Sequence, residues 1–314
     1  MQRIFQDSPL PADLRGGFAA LGNFDGFHSG HQAVVGEAQA RARAKGGPSL
    51  VITFDPHPAR LFQPDAPPLT LTTIPQRLDL FAAAGLDGTI VLAFDRAMAA
   101  LSPKDFVRDV LHDRLALSGI VTGEDFTFGT QASGSARDLK RLGAVYDIEA
   151  IAVAPVNGVA GHRISSTRIR KALQAGNPQE AARMLSRPFT IRGEVEHGAK
   201  LGRSLGTPTA NMRLGDYARP RYGVYAVRGI MPDGARRDGV ANLGIRPMIE
   251  PPVELLESWF FDWDGDLYGQ TIDVELIAYL REERKLDGLD ALKAQIARDA
   301  ADARASLDRV AAPR

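Results

Sequence analysis

Two histidines, His28 and His31, close the segment Gly22-Asn-Phe-Asp-Gly-Phe-His-Ser-Gly-His31. That pattern suits a phosphate grip. Backbone N–H groups at the start of a helix lack intrahelical partners and carry partial positive charge, so an anion is favoured there. The dipole alone contributes only about 0.3–1 kcal/mol. Two imidazoles at the same place add donors aimed at the same phosphates. Gly30 lets a phosphate approach the backbone, and Gly26 permits the tight turn before it. Read alone, the motif also fits two surface histidines beside a glycine-rich turn. Its position just after the apolar run Phe18–Gly22 favours the phosphate site.

Other segments carry compatible chemistry. In Ile164-Ser-Ser-Thr-Arg-Ile-Arg170, Ser165 or Ser166 would cap a helix, with Thr167 beside them, while Arg168 and Arg170 bring charge to a triphosphate. A solvated basic helix is the plainer reading. Thr53-Phe-Asp-Pro-His-Pro58 places Asp55 and His57 at the end of an apolar run, where they either bind or merely shape a turn. Gly123-Glu-Asp-Phe-Thr-Phe-Gly129 places Asp125 and two aromatics at the end of an apolar run, with Phe126 and Phe128 equally suited to core or stacking.

The segment His197-Gly-Ala-Lys-Leu-Gly-Arg-Ser-Leu-Gly-Thr-Pro-Thr-Ala-Asn211 is the richest in the chain. Gly198, Gly202 and Gly206, with Lys200, Arg203 and Ser204, read as a phosphate-cradling loop. Pro208 then opens a strand, so Thr209 and Asn211 alternate onto one face. A hydroxyl and an amide oxygen are hard neutral ligands, suited to Mg²⁺ when nucleotide phosphates complete its shell. A long turn with Asx chemistry is the competing reading.

The elements that must hold these residues fall into two halves. Phe18–Gly22, Leu50–Phe54, Gly88–Phe94, Ser118–Thr122 and Ile148–Val153 read as strands buried on both faces. Helical patterns lie between them at His31–Lys45, Ile74–Ala84 and Pro103–Leu115, the last with Ser102 as its N-cap. This alternation predicts an α/β domain with a doubly wound parallel sheet. Ligands of such sheets bind at the carboxyl ends of strands, where Asn23, Asp25, His28, Asp55, His57 and Asp125 fall. Ser165 to Ser186 reads as helical, and Arg187-Pro188 marks a boundary, giving domains 1–186 and 187–314.

Beyond it lie six strand candidates without intervening helices: Phe189–Glu196, Pro208–Arg213, Gly223–Arg228, Gly239–Gly244, Glu254–Trp263 and Thr271–Leu280. They predict a small six-stranded β-barrel or sandwich. Leu289, Leu292, Ile296, Ala303 and Leu307 predict one apolar face of a C-terminal helix packed on it.

Composition excludes several classes. Lys plus Arg and Asp plus Glu both number 38, so no net basic field draws nucleic acid. With no cysteine, disulfides, thiolate nucleophiles and Cys-ligated zinc are excluded, and a reducing cytoplasm is the expected location. No stretch approaches the roughly 18 apolar residues of a membrane span, and the first residues have no signal-peptide pattern. No nucleic-acid or membrane partner is therefore expected, and a monomer or weak homo-oligomer is.

Taken together, the first-half motifs resemble the FMN adenylyltransferase module of bacterial bifunctional riboflavin kinase/FMN adenylyltransferases (FAD synthetases), within the HxGH nucleotidyltransferase superfamily. Pro208-Thr-Ala-Asn211 resembles the riboflavin kinase signature. Gly223–Val227, Asn242-Leu-Gly-Ile-Arg-Pro247, Asp262–Gly269 and Leu280-Arg-Glu-Glu283 match in order. The resemblance spans about residues 15–305. It implies riboflavin, FMN and ATP as substrates, FAD as product, and Mg²⁺. It further implies that His28, His31, Arg168 and the Ser-Ser-Thr segment grip ATP phosphates, and that Glu257 is the general base of the kinase. The chain departs from the family at Thr127, where Arg is usual, and in Thr130–Ser135. It departs again at Met248 and at Ser258-Trp259, where Thr and Thr-His are usual.

Overall fold

The computed structural model describes residues 1–5, 8–158, 161–197, 207–246, 253–263, 265–285 and 287–310. Chain contacts divide it into two compact units, Met1–Pro67 with Thr73–Ser165, and Pro68–Thr72 with Ser166–Arg314.

The first unit is built on β1 (Gln2–Phe5), β2 (Phe18–Leu21), β3 (Ser49–Asp55), β4 (Gly88–Ala93) and β5 (Gly119–Gly123). A two-stranded antiparallel pair follows, β6 (Thr127–Phe128) and β7 (Gly134–Ser135), and then β8 (Glu149–Val153). The main sheet has the order β1-β4-β3-β2-β5-β8, and every pairing in it is parallel. Its helices are α1 (Ser29–Lys45), α2 (Pro58–Phe62), α3 (Ile74–Ala83), α4 (Arg96–Ala100), α5 (Pro103–Asp105) and α6 (Ala136–Gly143).

Side chains alternate across the strands into two cores. Leu21, Ile52, Ile90 and Ile120 pack with Phe106 and Leu111 on one face. Ala20, Val51, Val91 and Val121 pack with Val34, Ala38 and Phe81 on the other. Burial on both faces is what the near-continuous apolar runs required. The sheet is therefore doubly wound as expected, with one more strand than the sequence suggested. β1 escaped notice because it is short, sits at the edge and buries only Ile4. The expected helix after Ser102 begins as α5 and continues as a π-helix over Phe106–Arg114.

The second unit opens with α7 (Ser166–Gln174) and α8 (Pro178–Leu185). The single helical run expected here breaks at Gly176, whose φ of 75° ends α7 before Asn177 caps α8. Six antiparallel strands follow: β9 (Phe189–Glu194), β10 (Ala210–Arg213), β11 (Gly223–Ile230), β12 (Arg236–Arg246), β13 (Val253–Phe260) and β14 (Thr271–Arg281). Their order is β10-β13-β12-β11-β14-β9. A bridge between Glu196 and Asn211 links the ends of that order, so the sheet curls into a nearly closed barrel.

The closing helix α9 (Leu289–Asp308) packs on the barrel with a stripe that keeps the expected Ala303 and Leu307, leaves Leu292 and Ile296 half-buried at the barrel cavity, and adds polar residues. Gln295, Asp299, Ala303, Ser306 and Leu307 are buried, whereas Leu289 is 61% exposed. The reason is electrostatic. Arg281 on β14 donates to both Asp299 oxygens at 2.8 and 2.6 Å, and Gln295 donates to Asp299 at 2.7 Å. The bond to Asp299 holds the Arg281 guanidinium above its ordinary pKa, against the opposing effect of burial.

Candidate active sites

The strand β2 delivers the chain into the turn that precedes α1. Two non-glycine residues of this turn have positive φ, Phe24 at 49° and Phe27 at 41°, with Gly26 between them at 85°. Such conformations cost about 1–3 kcal/mol each. Burial offsets that cost: both rings are at most 5% exposed and meet Phe81 edge-on, at 5.9 and 5.1 Å.

His28 is the N-cap of α1. Its Nδ1 accepts from the His31 backbone N–H at 3.2 Å. A neutral ring that accepts at Nδ1 carries its proton on Nε2, so Nε2 is the donor for an anion. The two imidazoles stack at 3.6 Å with 16° between planes. Gly30 has a further reason beyond phosphate approach. A Cβ there would lie 3.1 Å from His28 Cε1 and 3.2 Å from Nδ1, so any side chain would press on the ring that caps the helix.

Beneath this turn lies a residue that the sequence reading missed. Arg77 of α3 is 4% exposed and donates to the Asn23 carbonyl at 2.8 Å and to Thr53 Oγ1 at 3.3 Å. Burial pushes its guanidinium below the ordinary value, and the charges of Asp25 and Asp55 push it back up. Asp25, itself 2% exposed, thus faces inward and helps hold the cation under the loop. No periodicity singles out such an arginine, because it occupies an ordinary inward helix position. We expect Arg77→Met to destabilise the protein by about 3 kcal/mol, the range for breaking a buried charge pair. Urea denaturation measures this, and a loss under about 1 kcal/mol would show that the cation is dispensable.

The other candidates of the first unit take varied positions. His57 caps α2, its Nδ1 accepting from Ala59 N–H at 3.1 Å. Asp125 pairs with Arg163 at 2.6 Å, both side chains about half exposed. Beside Asn23 opens a cavity of 540 Å³ whose walls include Phe54, Phe62, Phe94, Phe126 and Phe128. Phe126 and Phe128 stack at 5.8 Å with 13° between planes, and Thr127 between them also lines the space. Both rings therefore serve the core and the cavity. The volume and apolar lining suit a planar ligand of cofactor size.

In the second unit, Ser166, Thr167, Arg168 and Arg170 lie in the first turns of α7, directly after Ser165. Arg168 pairs with Glu180 at 3.1 Å and Arg170 donates to the Leu69 carbonyl at 2.6 Å. Gly198, Lys200, Gly202, Arg203 and Gly206 lie outside the described residues, as does Met248. Pro208 and Thr209 precede β10.

Strand register assembles the barrel site. Asn211 on β10 pairs with Glu257 on β13, which pairs on its other side with Asn242 on β12. Directly opposed residues share a face, so these three side chains form a row. Thr209, Asn242, Glu257 and Trp259 line a 280 Å³ cavity floored by Val224 and Val240. Ser258, by alternation, turns into the core and is fully buried. Trp259, the departure from the family pattern, is thus a wall of the cavity. Asn211 is 4% exposed, and its Oδ1 has no hydrogen-bond partner among the described residues. A buried oxygen left unmatched is costly unless a ligand meets it.

Known proteins match both halves. A family model described as FAD synthetase matches residues 10–168, and one described as riboflavin kinase matches residues 185–307. The bifunctional riboflavin kinase/FMN adenylyltransferase of Escherichia coli strain K12 is 39% identical over 93% of both chains. The protein of the same name from Pseudomonas fluorescens is 39% identical over 94% of both. A solved structure from Streptococcus pneumoniae, named as a macrolide-efflux protein, superposes with a TM-score of 0.86. It is 31% identical and covers 97% of this chain and 99% of its own.

Proposed function

The chain belongs to the family of bifunctional riboflavin kinase/FMN adenylyltransferases, and from that premise we propose that it makes FAD in two ATP-dependent steps. The barrel domain phosphorylates riboflavin to FMN with release of ADP. The parallel-sheet domain adenylylates FMN to FAD with release of pyrophosphate. The observation that carries this reading is the row Asn211–Glu257–Asn242, which sets the cavity-lining carboxylate of Glu257 in register with Asn211, whose buried Oδ1 has no hydrogen-bond partner among the described residues.

In the kinase step Glu257 takes the proton of the ribityl 5′-hydroxyl as its oxygen attacks the γ-phosphorus. The bond from that phosphorus to its bridging oxygen breaks, and ADP leaves. Thr209 and Asn211 fit Mg²⁺ as neutral oxygen donors, and the unmatched Asn211 Oδ1 is the evidence for that fit. When bound, the metal would draw charge off the ATP phosphates. The segment bearing Gly198, Lys200, Gly202, Arg203, Gly206 and Pro208 is assigned to those phosphates by its composition.

In the adenylyl step a phosphate oxygen of FMN attacks the α-phosphorus of ATP and pyrophosphate leaves, with no protein nucleophile. Catalysis is then positioning and charge stabilisation. His28, His31 and Arg168 are assigned to the polyphosphate, with Gly22, Gly30, Ser165, Ser166, Thr167 and Arg170 around it. Asn23, Asp25, His57 and Asp125 are assigned to the nucleotide and flavin side, where the aromatic cavity suits the flavin ring. The functional division follows residues 1–186 and 187–314. We place the protein in the cytoplasm, as a monomer or weak homo-oligomer without nucleic-acid or membrane partners. No helix of the described residues is long and apolar enough to cross a membrane.

The narrower reading, a kinase with an inactive first domain, has no support from the matches, since the FAD synthetase model spans residues 10–168. The deciding measurement is chromatography of products from riboflavin, ATP and Mg²⁺. FMN followed by FAD is the expected course. Absence of both would overturn the proposal, and FMN without FAD would restrict it to the barrel.

A further inference from the structure

We infer that Asn242 recognises the substrate's sugar-alcohol chain, its side-chain oxygen accepting from a hydroxyl, with Glu283 and Gly244 fixing the amide for that purpose. This rests on the kinase reading of the barrel. Asn242 Nδ2 donates to Glu283 Oε1 at 2.8 Å. A carboxylate only accepts, so the amide nitrogen must face Glu283 and the oxygen must face away. That oxygen is buried and has no hydrogen-bond partner among the described residues.

Its neighbours in the sheet cannot supply a donor. On one side the register partner is Glu257, whose carboxylate accepts; on the other it is Val224, which is apolar. The missing donor has to come from the cavity, which Asn242 and Glu257 line together. A polyol is the ligand chemistry that fits, because one of its hydroxyls must reach Glu257 to lose a proton while a neighbour donates to Asn242. The flavin ring has an apolar face to offer, and Val224, Val240 and Trp259 are suited to it.

Gly244 completes the device. A Cβ at this position would lie 2.3 Å from Glu283 Oε1 and 2.6 Å from its carboxyl carbon. The carboxylate therefore rests where only glycine leaves space, and this ties together two motifs, Asn242-Leu-Gly and Leu280-Arg-Glu-Glu283, that lie far apart in sequence.

The test compares riboflavin with lumiflavin, which keeps the ring but carries a methyl group in place of the ribityl chain. Binding of each to the full-length protein is followed by quenching of flavin fluorescence. Asn242→Ala is expected to weaken riboflavin binding about three- to tenfold, the worth of one neutral hydrogen bond. Lumiflavin binding should not change. Glu283→Gln and Gly244→Ala, which release the amide to turn over, should weaken riboflavin binding by a smaller factor and again spare lumiflavin. Unchanged riboflavin affinity in Asn242→Ala would overturn the inference. So would an equal loss for both ligands, since that marks a structural role. Wild-type protein that bound no riboflavin would instead overturn the kinase reading itself.

Discussion

Glu257→Gln is expected to lower the rate of riboflavin phosphorylation by about 10²–10⁴, the usual contribution of a general base. FMN adenylylation by the same variant should stay within about twofold of wild type. The substitution keeps the size of the side chain and one acceptor oxygen, and removes the negative charge and the ability to take a proton. Glu257 is held between Asn211 and Asn242 by strand register, so the amide would occupy the same position in the row. Initial rates of ADP formation with riboflavin, and of pyrophosphate formation with FMN, separate the two activities. A kinase loss under about tenfold would remove Glu257 from the role of base. Equal loss of both activities would indicate a folding defect.

Much of this site is legible in the sequence, for reasons that differ between residues. Thr209 and Asn211 stand at a strand start, where residue type and alternation carry information, whereas Glu257 is a mid-strand carboxylate that the family resemblance alone singles out. The strand register that makes Asn211 and Glu257 neighbours is a different matter. It joins residues 46 apart in the chain, and a slip of one residue would have turned the carboxylate to the other face. Only the folded barrel settles that. Asn242 and Glu283 were visible as parts of motifs, yet their relation depends on a gap above Gly244 that no local pattern encodes.

The limits of periodicity are clearest in α9 and α3. On α9 the apolar pattern found Ala303 and Leu307 but not Gln295 and Asp299, which are buried beside them because Arg281 reaches Asp299 from β14. A buried ion pair contradicts the hydrophobic pattern by its nature. On α3 the same inversion hides Arg77, which supports the phosphate turn through the Asn23 carbonyl. By contrast, burial on both faces makes near-continuous apolar runs, so five strands of the main sheet were predictable, while the short edge strand β1 and the two-residue strands β6 and β7 were not.

Replacing His28 and His31 together by Ala is expected to lower FMN adenylylation by about 10²–10³, the scale for removing preorganised donors from a developing charge. Riboflavin phosphorylation should persist. The double variant alone confounds two roles, because His28 also caps α1 through its bond from His31 N–H. Loss of a cap costs about 1 kcal/mol of stability. His28→Asn separates the roles. Asparagine is a good N-cap and restores the acceptor for the His31 N–H, while removing the imidazole Nε2 donor and the stacked ring. If the imidazoles bind phosphate, His28→Asn recovers the melting temperature lost in the double variant and still loses adenylylation. If capping were the whole function, stability and activity would return together. That result would leave the two histidines as a structural feature of the turn, and the polyphosphate would have to be held by the helix N-terminus and the α7 residues instead.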